Sequence, residues 1–465
     1  MLEKTTSAPQ DASPLKDRVF RPLFAAQVIA LAGTGLTTVA LALLAYDLAG
    51  SQAGAVLGTV LAIKMVAYVG VAPHAGAYAG RLPRRAFLVA LDCVRAALIA
   101  CLPFVTALWQ VYALVFFLNA ASACFTPVFQ ATIPEVLQDE RRYTRALSLS
   151  RLAYDLESLL SPSLAAAALL LLSYDALFSL NAAAFLLSGL LILSVQLPVR
   201  QTSENAASPW ALLREGFFVY FGTPRLRALF LLSFAAACGG AAVIVNTVVY
   251  VHTTLGGGQV ATALGYACYG AGSMAAALVL PKMLARYADR AFMLFGAALV
   301  ALTLMLGSRL PDQMGFLAIW FVLGVATSLI LTPSARLVQR SATEESRAAL
   351  YASQFALSHL GWLASYLLAG WVGAQIGLSW AFVCLAVLAG VSALGAAVLW
   401  NGRHETAQEH VHPAQDHTHL HIHDDHHQHE HEGWEGPEPH SHPHYHAAKR
   451  HRHAYVIDLH HRSWP

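Results

Sequence analysis

The stretch Gly76-Ala77-Tyr78-Ala79-Gly80-Arg81-Leu82-Pro83-Arg84-Arg85 decides how this chain is read. It is a short basic connection, broken by glycine and proline, between apolar runs at roughly 54–79 and 86–108. Each run exceeds the roughly 20 residues that a helix needs to cross the hydrocarbon of a bilayer. Two such runs joined by an arginine-rich bend predict a membrane hairpin whose loop stays on the side that retains positive charge.

Working outward, further apolar runs lie at roughly 21–46, 110–134, 148–172 and 175–197, and then at 228–251, 259–281, 290–309, 314–335, 349–373 and 378–400. That makes twelve spans in two groups of six. The two-residue alternation of a barrel strand is absent, and lipid admits only helices or closed barrels, so the spans are read as helices. The expected class is an all-α polytopic membrane protein with twelve transmembrane helices.

The charges test that count. Connections after even-numbered spans hold Arg81, Arg84 and Arg85; Arg141, Arg142 and Arg145; Arg200, Arg214, Arg225 and Arg227; Lys282, Arg286 and Arg290; Arg336, Arg340 and Arg347. Connections after odd-numbered spans carry one basic residue, Arg309. By the positive-inside rule both termini are expected in the cytoplasm. Lys16, Arg18 and Arg21 run straight into the first span with no processing site, so that span is expected to be retained.

Composition agrees. Of 465 residues, 57% are hydrophobic and 12% charged, against about 25% charged in a soluble domain. A soluble enzyme, a disordered chain, a coiled coil and a disulfide scaffold are all excluded. The six cysteines sit in apolar stretches and read as small buried hydrophobes. A net charge of +2 gives no reason to expect a nucleic-acid partner. No phosphate-binding loop, zinc-protease motif or nucleophile elbow occurs in usable context, which argues against an enzyme and against an ATP-driven pump.

These readings divide the chain into a cytoplasmic N-terminal segment (1–20), a six-helix half (21–197), a cytoplasmic linker with an amphipathic surface helix (198–227), a second six-helix half (228–402) and a tail (403–465). The tail lacks an apolar period and is rich in His, Asp, Glu and Pro, so it is expected to be disordered. It holds 19 of the 22 histidines.

Three motifs carry a family resemblance. The opening stretch resembles the loop signature G-x-x-x-D-R-x-G-R-R of the major facilitator superfamily, with Gly80 in place of the acid and Pro83 in place of the second glycine. The resemblance makes Gly76, Gly80, Arg81, Arg84 and Arg85 a gating loop. Phe125-Thr-Pro127-Val-Phe-Gln-Ala131-Thr-Ile-Pro134-Glu135-Val-Leu resembles the drug- and siderophore-exporter branch. Leu160-Ser161-Pro162-Ser163-Leu164-Ala165-Ala166 resembles the antiporter motif G-P-x-x-G-G, with small residues for glycines. With the histidine-rich tail added, the whole resembles the NreB-type nickel-resistance exporters. That implies a fold of two six-helix halves and proton-coupled efflux of nickel, with cobalt as an alternative. It further implies a monomer in a bacterial inner membrane, needing no cofactor. In this fold spans 2 and 11 approach each other, as do spans 5 and 8.

Neutral imidazole is a ligand for borderline divalent ions. In the tail, His417, His419, His421, His423, His426, His427, His429 and His431 form one cluster, and His440, His442, His444 and His446 a second. Asp424, Asp425, Glu430 and Glu432 add oxygen donors, and the tail has neither Cys nor Met, which argues against Cu(I). Nickel, cobalt and zinc remain open. A pH-responsive segment and a plain solvated tail are the competing readings.

Polar groups at membrane depth are costly and are functional candidates by default. The transport path is expected to draw on His74, Asp92, Asn119, Asp155, Glu157, Asn246 and His359. Asp92 and Arg95 are spaced i,i+3 and can also pair with each other. Lys64 reads as a counter-charge or a snorkelling side chain. The substrates are then divalent metal ions and protons. The rival reading is an exporter of drugs or siderophores with a metal-responsive tail.

Overall fold

The computed structural model describes residues 13–78, 83–137, 164–197 except 166, and 209–401 except 285 and 343–345. It also describes isolated positions between 138 and 163 and four tail segments. The first half contributes α1 (Phe20–Ala49), α2 (Ala53–Tyr78), α3 (Arg84–Cys101), α4 (Leu108–Val136) and α5 (Tyr174–Leu193). The linker holds α6 (Pro209–Gly222), and the second half α7 (Pro224–Val249), α8 (Gln259–Leu284), α9 (Asp289–Gly307), α10 (Gln313–Arg340), α11 (Arg347–Gln375) and α12 (Leu378–Leu399).

Ten apolar helical stretches among the described residues are long enough to cross a membrane, and the first, Phe20–Val71, contains α1 and most of α2. The chain is a multi-pass membrane protein. The two helices part at Gly50, whose φ of 53° lies in the left-handed region where glycine carries no Cβ penalty. Most of the expected fifth span, 148–172, lies outside the described residues. Span 6 is therefore α5, while spans 7 to 12 are α7 to α12.

The helices pack in the same order in both halves. In the first, α1 and α3 lie on α5, and α4 lies on α2 and α3; in the second, α7 and α9 lie on α12, and α10 lies on α8 and α9. The local sequence repeats too: α3 opens Arg84-Arg85-Ala86-Phe87 and α9 opens Asp289-Arg290-Ala291-Phe292. In each helix the second arginine donates to carbonyls at the end of the half's last span, Arg85 to Leu193 and Arg290 to Trp400. A cation there satisfies carbonyls that have no intrahelical partner and meets the negative end of the helix dipole.

Among the described residues the halves meet mainly where α2 packs along α11. The contact runs backbone to backbone, since a Cβ on Gly58 would stand 2.5 Å from the Tyr366 carbonyl oxygen and 3.2 Å from the Gly370 Cα. At the end away from the linker, Gln52 donates to the Ala374 carbonyl (3.4 Å), the Trp371 indole donates to Thr59 (3.3 Å), and the Tyr46 ring lies 4.4 Å from that of His252.

The linker helix packs on the start of α11, with Gly216 against Ala349 and Ser353, and Tyr220 donates to Gln354. Phe218 and Phe221 stay exposed, an apolar edge on a helix at a membrane protein's rim.

The tail departs from the expectation of disorder. Strand β1 (Gln408–His412) pairs antiparallel with β4 (Lys449–His453), and β2 (Gln415–His421) pairs antiparallel with β3 (His440–His446). A histidine at every second position has the period of a strand. A judgement from composition and missing apolar residues does not weigh that period.

Candidate functional site

Lys64 lies near the middle of α2, and Tyr68 follows four residues later on the same helical face. On α11, Phe355, His359, Trp362 and Tyr366 recur every three or four residues and form one stripe. The two faces meet. The Tyr68 ring lies 5.8 Å from His359 and 6.3 Å from Phe355; Phe355 and His359 are 3.9 Å apart, and Trp362 and Tyr366 are 5.2 Å apart.

The charges converge on the same place. Lys64 interacts electrostatically with Glu157 of the fifth span and with His359. Glu157 in turn is within electrostatic range of Tyr366, and Tyr366 of Tyr269 on α8. The Tyr269 hydroxyl is 3.1 Å from that of Thr327 on α10. One ammonium, one carboxylate, one imidazole and several phenols thus gather where spans 2, 5, 8 and 11 come together. That junction belongs to both halves.

His359 is set by its own helix. Its Nδ1 is 2.7 Å from the Phe355 carbonyl oxygen, and a carbonyl can only accept. In the neutral ring Nδ1 therefore carries the proton, and Nε2 is the basic nitrogen, the tautomer in which a histidine ligates a metal.

Other expected residues lie elsewhere. Asp92 is fully buried inside the first half, ion-paired with Arg95, and its other oxygen accepts from Ser188 at 2.8 Å. The Arg95 guanidinium sits over the rings of Phe125 (4.1 Å) and Phe185 (4.4 Å). This is the local i,i+3 pair, and its contacts do not reach the junction. Asn119 donates to the Val115 carbonyl one turn back (2.8 Å), and Asn181 donates to Thr37 of α1 (2.6 Å). Asn246 is fully buried against Gly54 and Gly373, with neither amide atom hydrogen-bonded. Asp155 and the side chain of His74 lie outside the described residues.

Of the gating loop, Gly80, Arg81 and the side of Gly76 lie outside the described residues. Arg84 forms an ion pair with Glu135, which joins two stretches that sequence reading treats as separate motifs.

Of the tail histidines, His417, His419 and His421 in β2 lie opposite His444, His442 and His440 in β3, and His446 lies opposite Gln415. His423, His426, His427, His429 and His431 lie outside the described residues. Among the described residues no group of three or more His, Cys, Asp or Glu stands close enough to hold a metal ion.

Sequence reading missed the phenols Tyr68, Tyr269 and Tyr366. The available signal was spacing: Tyr68 stands one turn from the only lysine of its span, and Tyr366 two turns from His359.

The model of the Major Facilitator Superfamily matches residues 23–287 and again 250–452. No curated protein matches the chain. Among solved structures, a mutant of the nucleoside transporter NupG matches with a TM-score of 0.67 at 15% identity, over 83% of this chain and 100% of its own. A bacterial homologue of the human lysosomal transporter Spinster, in an inward-facing unoccupied conformation, matches with a TM-score of 0.66 at 12% identity, over 84% of this chain and 98% of its own. A POT family transporter in complex with 5-aminolevulinic acid matches with a TM-score of 0.63 at 13% identity, over 82% and 96%. At these identities the likeness is one of fold.

Proposed function

Since this chain belongs to the Major Facilitator Superfamily, and is therefore a membrane transporter, we propose that it exports divalent transition-metal cations by exchange with protons. Nickel is the first candidate and cobalt the second. The observation that carries this reading is that Glu157 and His359, with its basic Nε2, each lie within electrostatic range of Lys64 on α2, where the two halves meet. A carboxylate and a neutral imidazole form a donor pair for a borderline divalent ion. A group shared by both halves is also the one that changes access when the halves rock.

The ion binds from the cytoplasmic side, where both termini and the tail reside in this reading. Water and backbone carbonyls complete its coordination. Carboxylate and imidazole must be unprotonated to bind it, so metal and protons compete for the same groups. The tail's imidazoles collect or buffer the same ions at the entrance. The protein works as a monomer in a bacterial inner membrane and needs no cofactor.

The test is metal efflux from preloaded cells. Glu157→Gln and His359→Ala should each lower nickel efflux by about tenfold or more, as expected when a ligand is removed from a site at membrane depth. Wild-type efflux in the double variant would sink the reading.

The aromatic stripe supports a second reading. Tyr68, Phe355, Trp362 and Tyr366 would suit the face of an organic cation such as a drug. Resistance to such compounds with no nickel, cobalt or zinc phenotype would favour it.

A further inference from the structure

At the end of the molecule away from the linker, the far end, the halves are joined by weak ties. Gln52 donates to the Ala374 carbonyl (3.4 Å) and accepts from Gln375 (3.3 Å), and the Trp371 indole donates to Thr59 (3.3 Å). All three bonds are exposed. Each exchanges a bond to water for a bond to protein, at little net gain. Helix α7 runs on into one turn of π-helix, Tyr250–Thr254, and His252 within it lies ring to ring with Tyr46 of α1 at 4.4 Å.

One group inside this closure works against it. Asn246 of α7 is fully buried; a Cβ on Gly54 of α2 would stand 3.5 Å from its Oδ1, and one on Gly373 of α11 3.3 Å. Gly54 belongs to the first half, Asn246 and Gly373 to the second. The main chains are close enough to enclose the amide, since a Cβ on Gly370 would stand 2.3 Å from the Gly54 carbonyl oxygen. Neither Oδ1 nor Nδ2 of Asn246 has a hydrogen-bond partner. A side-chain amide offers two donors and a carbonyl oxygen. Burying them unmet carries the whole cost of taking them out of water, and native structures hold few such groups. His252 Nε2, farther along the same element, is also buried without a partner.

We propose that Asn246 is a built-in opener of the far end. When the halves rock apart there, α2 leaves α7 and α11, and water reaches the amide. Closing strips that water away and returns nothing. The unmet amide therefore raises the free energy of the closed far end and leaves that of the open one untouched. A transporter must open each end once per cycle, and a cost borne by one state alone moves the ratio of the two states by the matching factor. Asn246 thus keeps the far end from resting shut. The inference needs only a transporter of two rocking halves and is independent of what is carried.

The experiment is hydrogen–deuterium exchange on the full-length protein in detergent. It compares residues 46–59 and 368–378 at the far end with residues 84–90 and 335–342 at the linker end. Asn246→Leu puts methyl groups where the amide stood. Exchange at the far end should slow by about tenfold, with no slowing at the linker end. Asn246→Ala should act in the same direction but less, because of the small cavity it leaves. Asn246→Asp buries a charge in the same place and should quicken exchange at the far end. Unchanged or faster exchange at the far end in the leucine and alanine variants overturns the inference. So does slowing over all four stretches, which is the mark of general stiffening. If the leucine variant is not recovered from the membrane, the alanine variant decides alone. Loss of both would show that the amide holds the fold together, and this too overturns the inference.

Discussion

At the start of α3 Arg84 pairs with Glu135 near the end of α4, and at the start of α9 Asp289 pairs with Arg340 at the end of α10. Both pairs span 51 residues and tie equivalent corners of the two halves. Their signs are reversed. A helix presents partial positive charge at its N-terminus and partial negative charge at its C-terminus. Asp289 and Arg340 agree with both ends they occupy, whereas Arg84 and Glu135 oppose both. The corner of the second half is supported by its helices; that of the first rests on the pair alone.

The same contrast continues inward. Asp92 and Arg95 are the ninth and twelfth residues of α3, and their counterparts in α9 are Ala297 and Val300, both fully buried. Val300 packs on α7 at Gly239. One half thus spends an ion pair, a serine and two aromatic rings where the other has plain packing. An isolated buried ion pair is seldom a net stabiliser relative to well-packed apolar residues, but losing one partner of it is severe. At this position the first half is polar, with parts that depend on each other, and the second is apolar.

Three experiments can break or sharpen this comparison. The largest effect should follow Asp92→Ala alone, which strands Arg95 in the core and should cost about 3–5 kcal/mol, read as loss of thermal stability in detergent. The double change Asp92→Ala with Arg95→Val installs the residues of the second half and should recover most of that loss. Equal instability of the single and double variants would show that the halves are not interchangeable there. Swapping charges at the two corners comes next. Arg84→Glu with Glu135→Arg brings the first corner into line with its helix ends, while Asp289→Arg with Arg340→Asp takes the second out of line. The first swap should be the more stable by about 1–3 kcal/mol, measured as a difference in unfolding midpoint, and the reverse order would refute the dipole argument. The smallest effect is expected where the halves agree. Arg85→Gln and Arg290→Gln each remove an arginine that caps a final span, and each should cost about 1 kcal/mol; clearly unequal losses would mean that the shared capping is only formal.

What could be read in the sequence follows from the range of each interaction. Apolar length and the side taken by arginines are properties of single spans, so the succession of helices was legible, with Arg336 and Arg340 as clear as Arg84 and Arg85. The Asp92–Arg95 pair was legible as an option because its partners lie one turn apart. The junction was only half legible. Glu157 and His359 stand out as ionisable groups in apolar runs, but nothing in one span says that Lys64 of another is the neighbour of both. Tyr269 and Tyr366 look like ordinary packing until the helices are placed. In the tail, composition suggested disorder, and the two-residue period that fits a strand carried the better information.

The contact between α2 and α11 at Gly58, Tyr366 and Gly370 is made by main chain. Surfaces of that kind are held by weak C–H···O attraction and dispersion, each contact small and without a deep minimum of its own. That stretch of the seam works as a plain bearing set between two latches, the Trp371 indole bonded to Thr59 on one side and the rings of Tyr68 and His359 on the other. One half can turn on the other there once the latches give, and any Cβ added at Gly58 would act as a brake.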